Sequence, residues 1–362
     1  MSQLAPEAAP AGPSPGLDPA TWSIRLATPD DLPALRPWLP ADAESALPEV
    51  PQDAAGPATY WLLACRRADG AGADDLGEPR ACLRLRRRVG MDQPRHWFHH
   101  GCVVHAAPQL QLYQRQDTLL LGNNLTGACE LADLTCDAAE LDHTEQAAVL
   151  GLLVRAALLL IAARRDEFPP MLIAELAGPR DAHGQSPFWL GLGRHFYAGD
   201  PQAALQAWGP GWLAHLAPLL PRQPVYCAFL PEAARLAVGR VDAAAEAAHQ
   251  ALCGAGLTPG RHVRVHDAGP VHEAPIDLLC KLAQARPRRL GSAASGPVPL
   301  RPVPTWWLAL QQVEPPVWTL VQGYPDPGDA GPDSSGLLPA GDARWSLSLS
   351  AHLAAEDSRP GH

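Results

Sequence analysis

The chain has 362 residues, of which 47% are hydrophobic and 18% are charged, and its formal net charge is −10. This length and this hydrophobic content are sufficient for a buried core, in one large domain or two smaller ones. A negatively charged chain lacks the broad positive field that nucleic acids and anionic membranes attract, so we expect neither as a partner.

The first ordered element is predicted just after a low-complexity start. Residues 1–20 are rich in Ala and Pro, which is typical of a disordered tail. Alternation of polar and apolar residues predicts a strand from Trp22, and Thr28 followed by Pro29 and two aspartates predicts the start of a helix. Residues 41–58 are rich in Pro, Ala and acidic residues and favour a loop.

A hairpin is predicted next. Strand patterns at Tyr60–Cys65 and Ala81–Arg88 flank a turn-rich gap. The second strand places three arginines on one face, and we favour a solvated face over an anion clamp. These arginines are Arg84, Arg86 and Arg88.

The middle of the chain alternates strands with one long helix, which predicts an α/β or α+β sheet. The helix is predicted over His143–Arg165 and ends before Pro169. Its apolar stretch carries Gly151 and Arg155 and is at the lower limit of a membrane span, so we favour a buried helix. The strands are predicted at Gly101–His105, Thr118–Leu121, Glu130–Leu134 and Leu172–Glu175.

The C-terminal part is predicted to be helical first and β-rich later. Helices are expected over Ala203–Leu220 and Ala233–Cys253, followed by a short strand at Val263–His266. The segment Tyr324–Gly341 is expected to be disordered. Strands of a small Pro-rich module are expected at Trp306–Leu310, Pro316–Val321 and Arg344–Leu349. The predicted divisions are a tail at 1–20, a core at 21–200, a second α/β part of the same unit at 201–284, and the β module at 285–362.

Eight cysteines occur without a CxxC pair, and the first twenty residues show neither a basic nor an apolar signal region. We therefore expect reduced thiols in a cytoplasmic protein. Four histidines, His96, His99, His100 and His105, are close in sequence. Their spacing matches no known metal site, so we expect no metal there.

Three sequence blocks carry a resemblance to a known family. They are Gly122–Leu131, Ser186–Phe196, and Asp267–Pro270 ahead of Ile276 and Asp277. Together they resemble the arginine N-succinyltransferases of bacterial arginine catabolism, and the similarity runs with gaps from about Ser23 to Asp277. Within the second block, Ser186–Trp189 is expected to be a packing element, and Ser186 is not expected to be a reactive serine.

The resemblance implies an acyl-CoA N-acyltransferase fold, a mixed sheet flanked by helices, with the small C-terminal β module added. It also implies transfer of a succinyl group from succinyl-CoA to the α-amino group of L-arginine, by direct attack of the amine. Succinyl-CoA would be a co-substrate, and no permanently bound cofactor is implied. The amine must be neutral to attack, and the developing oxyanion needs donors, which this fold supplies from a splayed central strand.

The same resemblance assigns the acyl-CoA contacts, with departures. Leu134 matches a leucine that contacts succinyl-CoA in the family. Gln146 and Gly151 are the nearest match to a glycine-rich loop that binds the CoA pyrophosphate, but Val149 replaces its first glycine. A Cβ there would crowd the phosphates. Acidic residues in this stretch should weaken CoA binding further: Glu140, Asp142 and Glu145.

The family's proton donor is a histidine in a Gly-x-Val-His segment, and Asp242 stands at that position in Gly239–Asp242. We do not assign the role to Asp242, because an ordinary aspartate is ionised at neutral pH. Loss of a general acid lowers the rate by about 10²–10⁴.

Candidate substrate contacts include two acidic residues in predicted strands, Glu130 and Glu175, whose carboxylates suit a guanidinium or ammonium group. Asn123 and His105 also match family positions. Asn is common in turns for backbone reasons alone, and a structural histidine is an equally good interpretation of His105.

The leading hypothesis is an arginine N-succinyltransferase-like acyltransferase. The alternative is a catalytically impaired homologue that binds arginine or pairs with an active related subunit. A third hypothesis is an acyltransferase for another amine or acyl donor. Assembly with copies of itself or with a related subunit is left open.

Overall fold

A computed structural model describes residues 21–38, 59–68, 77–209, 211–282, 288–292, 305–311, 317–323, 336–338 and 345–348. Within these ranges the chain forms fifteen strands and eight α-helices. The strands are β1 (Trp22–Leu26), β2 (Thr59–Arg66), β3 (Glu78–Arg86), β4 (Trp97–Ala107), β5 (Leu112–Gly122), β6 (Cys129–Cys136), β7 (Met171–Glu175), β8 (Val225–Tyr226), β9 (Thr258–Arg264), β10 (Pro270–Pro275), β11 (Arg288–Ser292), β12 (Thr305–Gln311), β13 (Val317–Gly323), β14 (Gly336–Leu338) and β15 (Trp345–Ser348). The helices are α1 (Leu32–Leu35), α2 (His143–Ala163), α3 (Pro187–Gly191), α4 (Pro201–Trp208), α5 (Trp212–Leu216), α6 (Glu232–Ala237), α7 (Glu246–Gly254) and α8 (Ile276–Leu282).

The strands form one mixed sheet in the order β14-β11-β15-β12-β13-β1-β2-β3-β6-β7-β10-β9-β4-β5-β8. The pairs β6–β7 and β11–β14 are parallel. β2 and β3 form the predicted antiparallel pair. The C-terminal strands extend the sheet, because β13 pairs with β1. The predicted mixed sheet with flanking helices and a C-terminal β part is confirmed, and the division of the chain into four segments stays a prediction.

The long helix α2 lies in the largest hydrophobic core. It packs with α7 against the face formed by β2, β3 and β6. Helix α2 is apolar nearly all round, which is typical of a helix buried on most sides. By length and composition the stretch 143–162 could also cross a membrane, and 61% of its most apolar window is buried within the protein. The packing agrees with the predicted buried helix.

A second core lies between α3–α6 and strands β4, β5 and β9. The Ser186 hydroxyl accepts a hydrogen bond from the backbone N–H of Trp189 at 3.2 Å and so caps α3. Phe188 and Trp189 are buried in this core. The segment Ser186–Trp189 is therefore a packing element, as predicted.

Both helices predicted in the C-terminal half are shorter in the structure than expected. The first is divided into α4 and α5 at Gly209, which has φ 63°, and the second into α6 and α7 at Gly239, which has φ 71°. Positive φ ends a right-handed helix, and glycine adopts it at low cost. The apolar pattern predicted helix on both sides of each glycine but could not show these breaks.

The hairpin β4–β5 is longer than predicted, with pairs from Trp97 and Gly122 to Ala107 and Leu112. Its outer half is exposed, so no alternation between buried and exposed positions marks it in the sequence. At the other end of the chain, strand β14 lies inside the segment expected to be disordered. The rest of that segment, the N-terminal tail and the whole loop predicted at 41–58 lie outside the described residues.

Candidate functional site

A gap opens in the middle of the sheet where two parallel strands diverge. The ladder between β6 and β7 ends at the pair Leu131 and Ala174. Beyond this pair, β6 continues beside β3 to Cys136, and β7 continues beside β10 to Glu175. The edge of β6 that faces the gap therefore carries backbone groups that β7 does not reach. This is the splayed strand that the resemblance implies.

Strand β6 is bulged at the gap. Its register with β3 shifts between Cys82 and Arg84, and Asp133 has φ 48°. A bulge of this kind re-aims backbone groups, and bulges are frequent next to active sites. The Asp133 carboxylate lies 2.5 Å from the Arg84 Nε, and the Arg84 guanidinium lies 5.1 Å from the ring centre of Trp61. This buried ion pair fixes the bulge.

The prediction of a solvated arginine face on β3 is wrong for two of its three members. Arg84 is 3% exposed and pairs with Asp133. Arg86 is half-buried and its guanidinium donates to Glu130 at 3.0 Å. Period-2 alternation placed these side chains correctly on one face, but it could not show that β6 supplies a carboxylate for each. Arg88 lies beyond β3 and is exposed.

The two carboxylates predicted to hold a cation do so, and the cation is an arginine of the chain itself. The Arg95 guanidinium donates at 2.8 Å to both Glu130 carboxylate oxygens and also donates to Glu175. Burial alone would raise the pKa of Glu130, but Arg95 and Arg86 outweigh burial and hold this pKa below its ordinary value. Glu130 is therefore a buried, ionised and fully paired carboxylate.

Trp97 completes this cluster. Its indole N–H donates to Glu175 at 2.6 Å, and the Arg95 guanidinium lies 5.5 Å from its ring centre. We call Arg95, Glu130, Glu175 and Trp97 the carboxylate cluster. Because of these contacts, the carboxylates of Glu130 and Glu175 are already paired with other groups of the same chain. Sequence analysis missed Arg95, which lies 35 residues before Glu130 in the chain.

The N-terminus of α2, next to the gap, is closed by carboxylates of the chain. The Asp142 side chain accepts from the backbone N–H groups of Thr144 and Glu145 at 2.8 Å. The Glu145 side chain accepts from the Asp142 N–H at 3.2 Å, which completes a capping box. The donors that would attract a phosphate at a helix N-terminus are thus used internally, and two negative charges lie beside them.

The residues assigned to the CoA loop lie inside α2. The Gln146 side chain donates to the Leu141 carbonyl at 2.8 Å, in the first turn. Val149 is fully buried in the core, so its side chain does not crowd a loop, contrary to our expectation. A Cβ added to Gly151 would meet no atom within 4 Å. Leu134, by contrast, lies on β6 directly after the bulge and packs partly against the core.

Asp242 lies beside the exit of β7 and has a structural role. Its backbone N–H donates to the Ala177 carbonyl at 2.8 Å. Its two carboxylate oxygens accept from the backbone N–H groups of Ala244 at 2.9 Å and Arg180 at 3.2 Å. Both oxygens therefore act as acceptors that order the chain at the gap, which agrees with our decision not to make Asp242 the proton donor.

The family-like block Asp267–Pro270 packs against the loop that follows β7. Gly178 packs so tightly that an added Cβ would lie 2.2 Å from the Asp267 carbonyl oxygen, and one on Gly269 would lie 2.1 Å from the Leu176 carbonyl oxygen. Asp267 is fully buried, and its side chain accepts from the Gly269 N–H at 3.0 Å. These glycines allow the turn before β10 to lie directly against the loop after β7.

A small polar cavity of about 170 Å³ adjoins this turn. Its lining includes Arg180, Arg194, His266 and Asp267. Burial, with Arg264 nearby, lowers the pKa of His266 to about 4 in spite of the Asp267 carboxylate. His266 is therefore neutral at physiological pH, and the arginines supply the positive charge of the cavity.

The other two candidate substrate residues lie outside the gap. Asn123 is exposed and directly follows Gly122, the strand partner of Trp97. His105 is exposed on the outer half of β4, where its ring stacks on Tyr226. At roughly 3.3 Å per residue, His105 lies about 26 Å along the strand from Trp97. The structure thus brings Glu130 and Glu175 together, but not His105.

Comparisons with known proteins agree on one family. The family model described as arginine N-succinyltransferase beta subunit matches residues 73–280. The chain is 37% identical over 214 residues to the arginine N-succinyltransferase subunit beta of Pseudomonas aeruginosa, covering 59% of this chain and 62% of that protein. It is 32% identical over 212 residues to the arginine N-succinyltransferase of Salmonella paratyphi B, covering 59% of this chain and 60% of that protein. The matches thus span about three fifths of the length of these relatives.

A solved structure supports the fold. The arginine/ornithine succinyltransferase subunit AI from Pseudomonas aeruginosa superimposes with a TM-score of 0.66 at 22% sequence identity. The superposition covers 91% of this chain and 99% of that structure. The similar architecture therefore extends beyond the part that is similar in sequence.

Proposed function

This chain belongs to the arginine N-succinyltransferase beta subunit family, and from that premise we propose that it transfers the succinyl group of succinyl-CoA to the α-amino group of L-arginine. One observation carries the proposal: β6 and β7 diverge after Leu131 and Ala174, and β6 is bulged at Asp133 where they separate. This is the backbone arrangement that an acyl-thioester site of this kind needs.

The reaction requires a neutral amine and a site for the developing oxyanion. The amine nitrogen forms a bond to the thioester carbonyl carbon, the carbon–sulfur bond breaks, and the amine proton leaves to water. Backbone N–H groups along the open edge of β6 are positioned to stabilise the oxyanion. The CoA thiolate is a good leaving group without a general acid, which suits a site in which Asp242 serves as a cap.

The succinyl carboxylate needs positive charge. The polar cavity beside the Asp242 loop provides Arg180 and Arg194 in its lining, and arginine suits a carboxylate through paired hydrogen bonds. Leu134, directly after the bulge, is placed for apolar contact with the thioester. We assign these three residues to the succinyl-CoA side of the proposed site.

A thiol-release assay with purified full-length protein tests the proposal. We expect release of CoA thiol that depends on both succinyl-CoA and L-arginine. The matched pair Arg194→Gln and Arg88→Gln separates a role in binding from a general loss of charge, because Arg88 is exposed and outside the cavity. A raised KM for succinyl-CoA only in Arg194→Gln is expected. No turnover above background by well-folded protein would contradict the proposal.

Two observations favour a second candidate, a subunit that pairs with an active relative. Arg95 occupies the carboxylates predicted for the substrate, and the capping box occupies the N-terminus of α2. Calorimetry distinguishes the candidates: binding of succinyl-CoA to the chain alone favours the enzyme. Failure of CoA thioesters to bind, together with a stable complex with a related subunit, favours the partner role.

A further inference from the structure

Two histidines and a cysteine meet between α7 and β10, on the core side of the sheet. His249 and Cys253 lie one turn apart on α7, and His272 faces them from β10. The His249 Nδ1 lies 2.9 Å from the His272 Nε2, and the Cys253 Sγ lies 3.7 Å from the His249 Nδ1. One ligand atom from each residue lies within 4.8 Å of the others. We call these three residues the His-Cys-His cluster.

We propose that the His-Cys-His cluster binds a thiophilic divalent cation, with Zn²⁺ as the best fit, through two imidazole nitrogens and one thiolate. Tetrahedral zinc bonds of about 2.0–2.1 Å to nitrogen and 2.3 Å to sulfur put neighbouring ligands roughly 3.3 Å (N···N) and 3.6 Å (N···S) apart. Two of the observed separations, 2.9 Å and 3.7 Å, differ from these by a few tenths of an ångström, and the third, between the Cys253 Sγ and the His272 ring, is at most 4.8 Å. Side-chain rotation alone can supply such shifts.

A simple hydrogen bond between the two imidazoles does not account for the whole cluster. His272 is fully buried, yet its Nδ1 has no hydrogen-bond partner among the described residues. A buried polar atom without a partner is costly, and natural proteins retain such atoms mainly where they have a function.

The sulfur ligand links metal binding to pH, because a metal ion is bound by the thiolate and not by the thiol. A divalent cation would displace the thiol proton, so binding releases a proton into solution.

The donor set and exposure specify the kind of site. Nitrogen and thiolate ligands favour zinc and similar cations over Mg²⁺ or Ca²⁺, which prefer oxygen. His249 and Cys253 are half-buried, so a fourth position is open to water. The cation would join α7 to β10, and α7 follows the Asp242 turn that borders the gap. It would thus hold the backbone beside the gap in place from the sheet face opposite the carboxylate cluster.

Cobalt titration of the full-length protein tests the site directly. After treatment with a chelator, we expect saturation at one Co²⁺ per chain, with a thiolate-to-cobalt charge-transfer band and release of a proton. The variant Cys253→Ser should lose the band and bind at least about 100-fold more weakly, as loss of a direct ligand exceeds the effect of outer contacts. The control Cys102→Ser, on the exposed face of β4, should bind like the unmodified protein.

Absence of saturable cobalt binding, or a band that persists in Cys253→Ser, would overturn the proposal. Circular dichroism first establishes that the variants are folded. If Cys253→Ser does not fold, His249→Gln replaces it, because His249 is half-buried on the helix surface and its loss leaves the thiol in place. That variant should keep part of the charge-transfer band at a weakened affinity, and unchanged affinity would again contradict the site.

Discussion

Strands β7 and β10 carry a polar cluster on each face, and the two clusters differ in how their groups are satisfied. His272 pairs across the strands with Ala174 and shares its face, whereas Glu175, the next residue of β7, points to the other face. On the Glu175 face, Arg95 and Trp97 contact the carboxylates. On the His272 face, a buried nitrogen has no partner among the described residues.

The two clusters therefore differ in kind: the polar groups of one are paired with each other, and those of the other could bind a ligand. In the carboxylate cluster the chain supplies its own countercharge, so loss of that countercharge would leave unpaired buried carboxylates. In the His-Cys-His cluster three potential ligand atoms lie within 4.8 Å of one another, so together they could bind a cation. The gap between β6 and β7 lies near both clusters. Its backbone is suited to acyl transfer, whereas most of its charged side chains bind each other.

Removal of Arg95 should have the largest effect. In Arg95→Met, Glu130 and Glu175 lose their shared guanidinium, and the free energy of unfolding should fall by about 3–5 kcal/mol. Urea denaturation measures this loss. Arg86→Gln is the matched control, because Arg86 is exposed to the same extent as Arg95 but makes one bond, to Glu130 alone, so a smaller loss is expected. Equal losses in the two variants would contradict the interpretation that Arg95 is the main cation paired with Glu130 and Glu175.

Acid should lower the free energy of unfolding, because His266 is buried in its neutral form. An unfolded histidine titrates near ~6.5, and the folded pKa is about 4, so the unfolded chain binds the proton more tightly between these values. Stability is therefore full above pH ~6.5 and falls as the pH drops towards 4, by up to about 3 kcal/mol for this group. Urea denaturation at several pH values should show a shallower fall in His266→Gln and no change of slope in His195→Gln, where the side chain is exposed.

Opening the N-terminus of α2 should have a smaller effect on stability and an opposite effect on ligand binding. Asp142→Ala should lower the free energy of unfolding by about 1 kcal/mol through loss of the cap. It should also tighten CoA binding, because the Thr144 and Glu145 N–H groups become available.

Asp142→Asn is the control for that variant, because an asparagine side chain also caps a helix N-terminus and keeps the two N–H groups occupied. It should keep most of the stability and leave CoA binding nearly unchanged. Calorimetry that shows no difference in CoA affinity between the two variants would place the phosphates elsewhere.

The smallest effect is expected at Gly151. An added Cβ meets no atom within 4 Å and the residue lies inside α2, so Gly151→Ala should raise the free energy of unfolding by about 0.5–1 kcal/mol. Thermal unfolding with and without CoA checks this. A loss of CoA binding in this variant would show that Gly151 contacts the cofactor after all, as the sequence resemblance implied.

Local patterns predicted much of the fold and little of the side-chain pairing. Alternation located β2, β3, β6 and β7, and apolar periodicity located α2 within two residues at its C-terminal end. The ends of α4 and α6 could not be predicted, because a positive φ at Gly209 or Gly239 depends on the surrounding packing.

The site was predictable only in part for the same reason. Buried acidic residues in strands pointed to a cation near Glu130 and Glu175, but only the tertiary structure shows that Arg95, 35 residues before Glu130, supplies it. Alignment to a motif placed Val149 in a loop, although the apolar periodicity predicted helix from His143; the capping box at Asp142 starts the helix there, and Val149 lies in the core. The His-Cys-His cluster joins residues from two elements whose contact no local pattern signals.

The most direct test of the proposed activity is the identity of the product. Folded full-length protein, incubated with succinyl-CoA and L-arginine, should yield succinylated arginine and free CoA in equal amounts by mass spectrometry, with the succinyl group on the α-amino nitrogen. Free succinate and unmodified arginine, in the presence of released CoA, would show hydrolysis and contradict amine transfer.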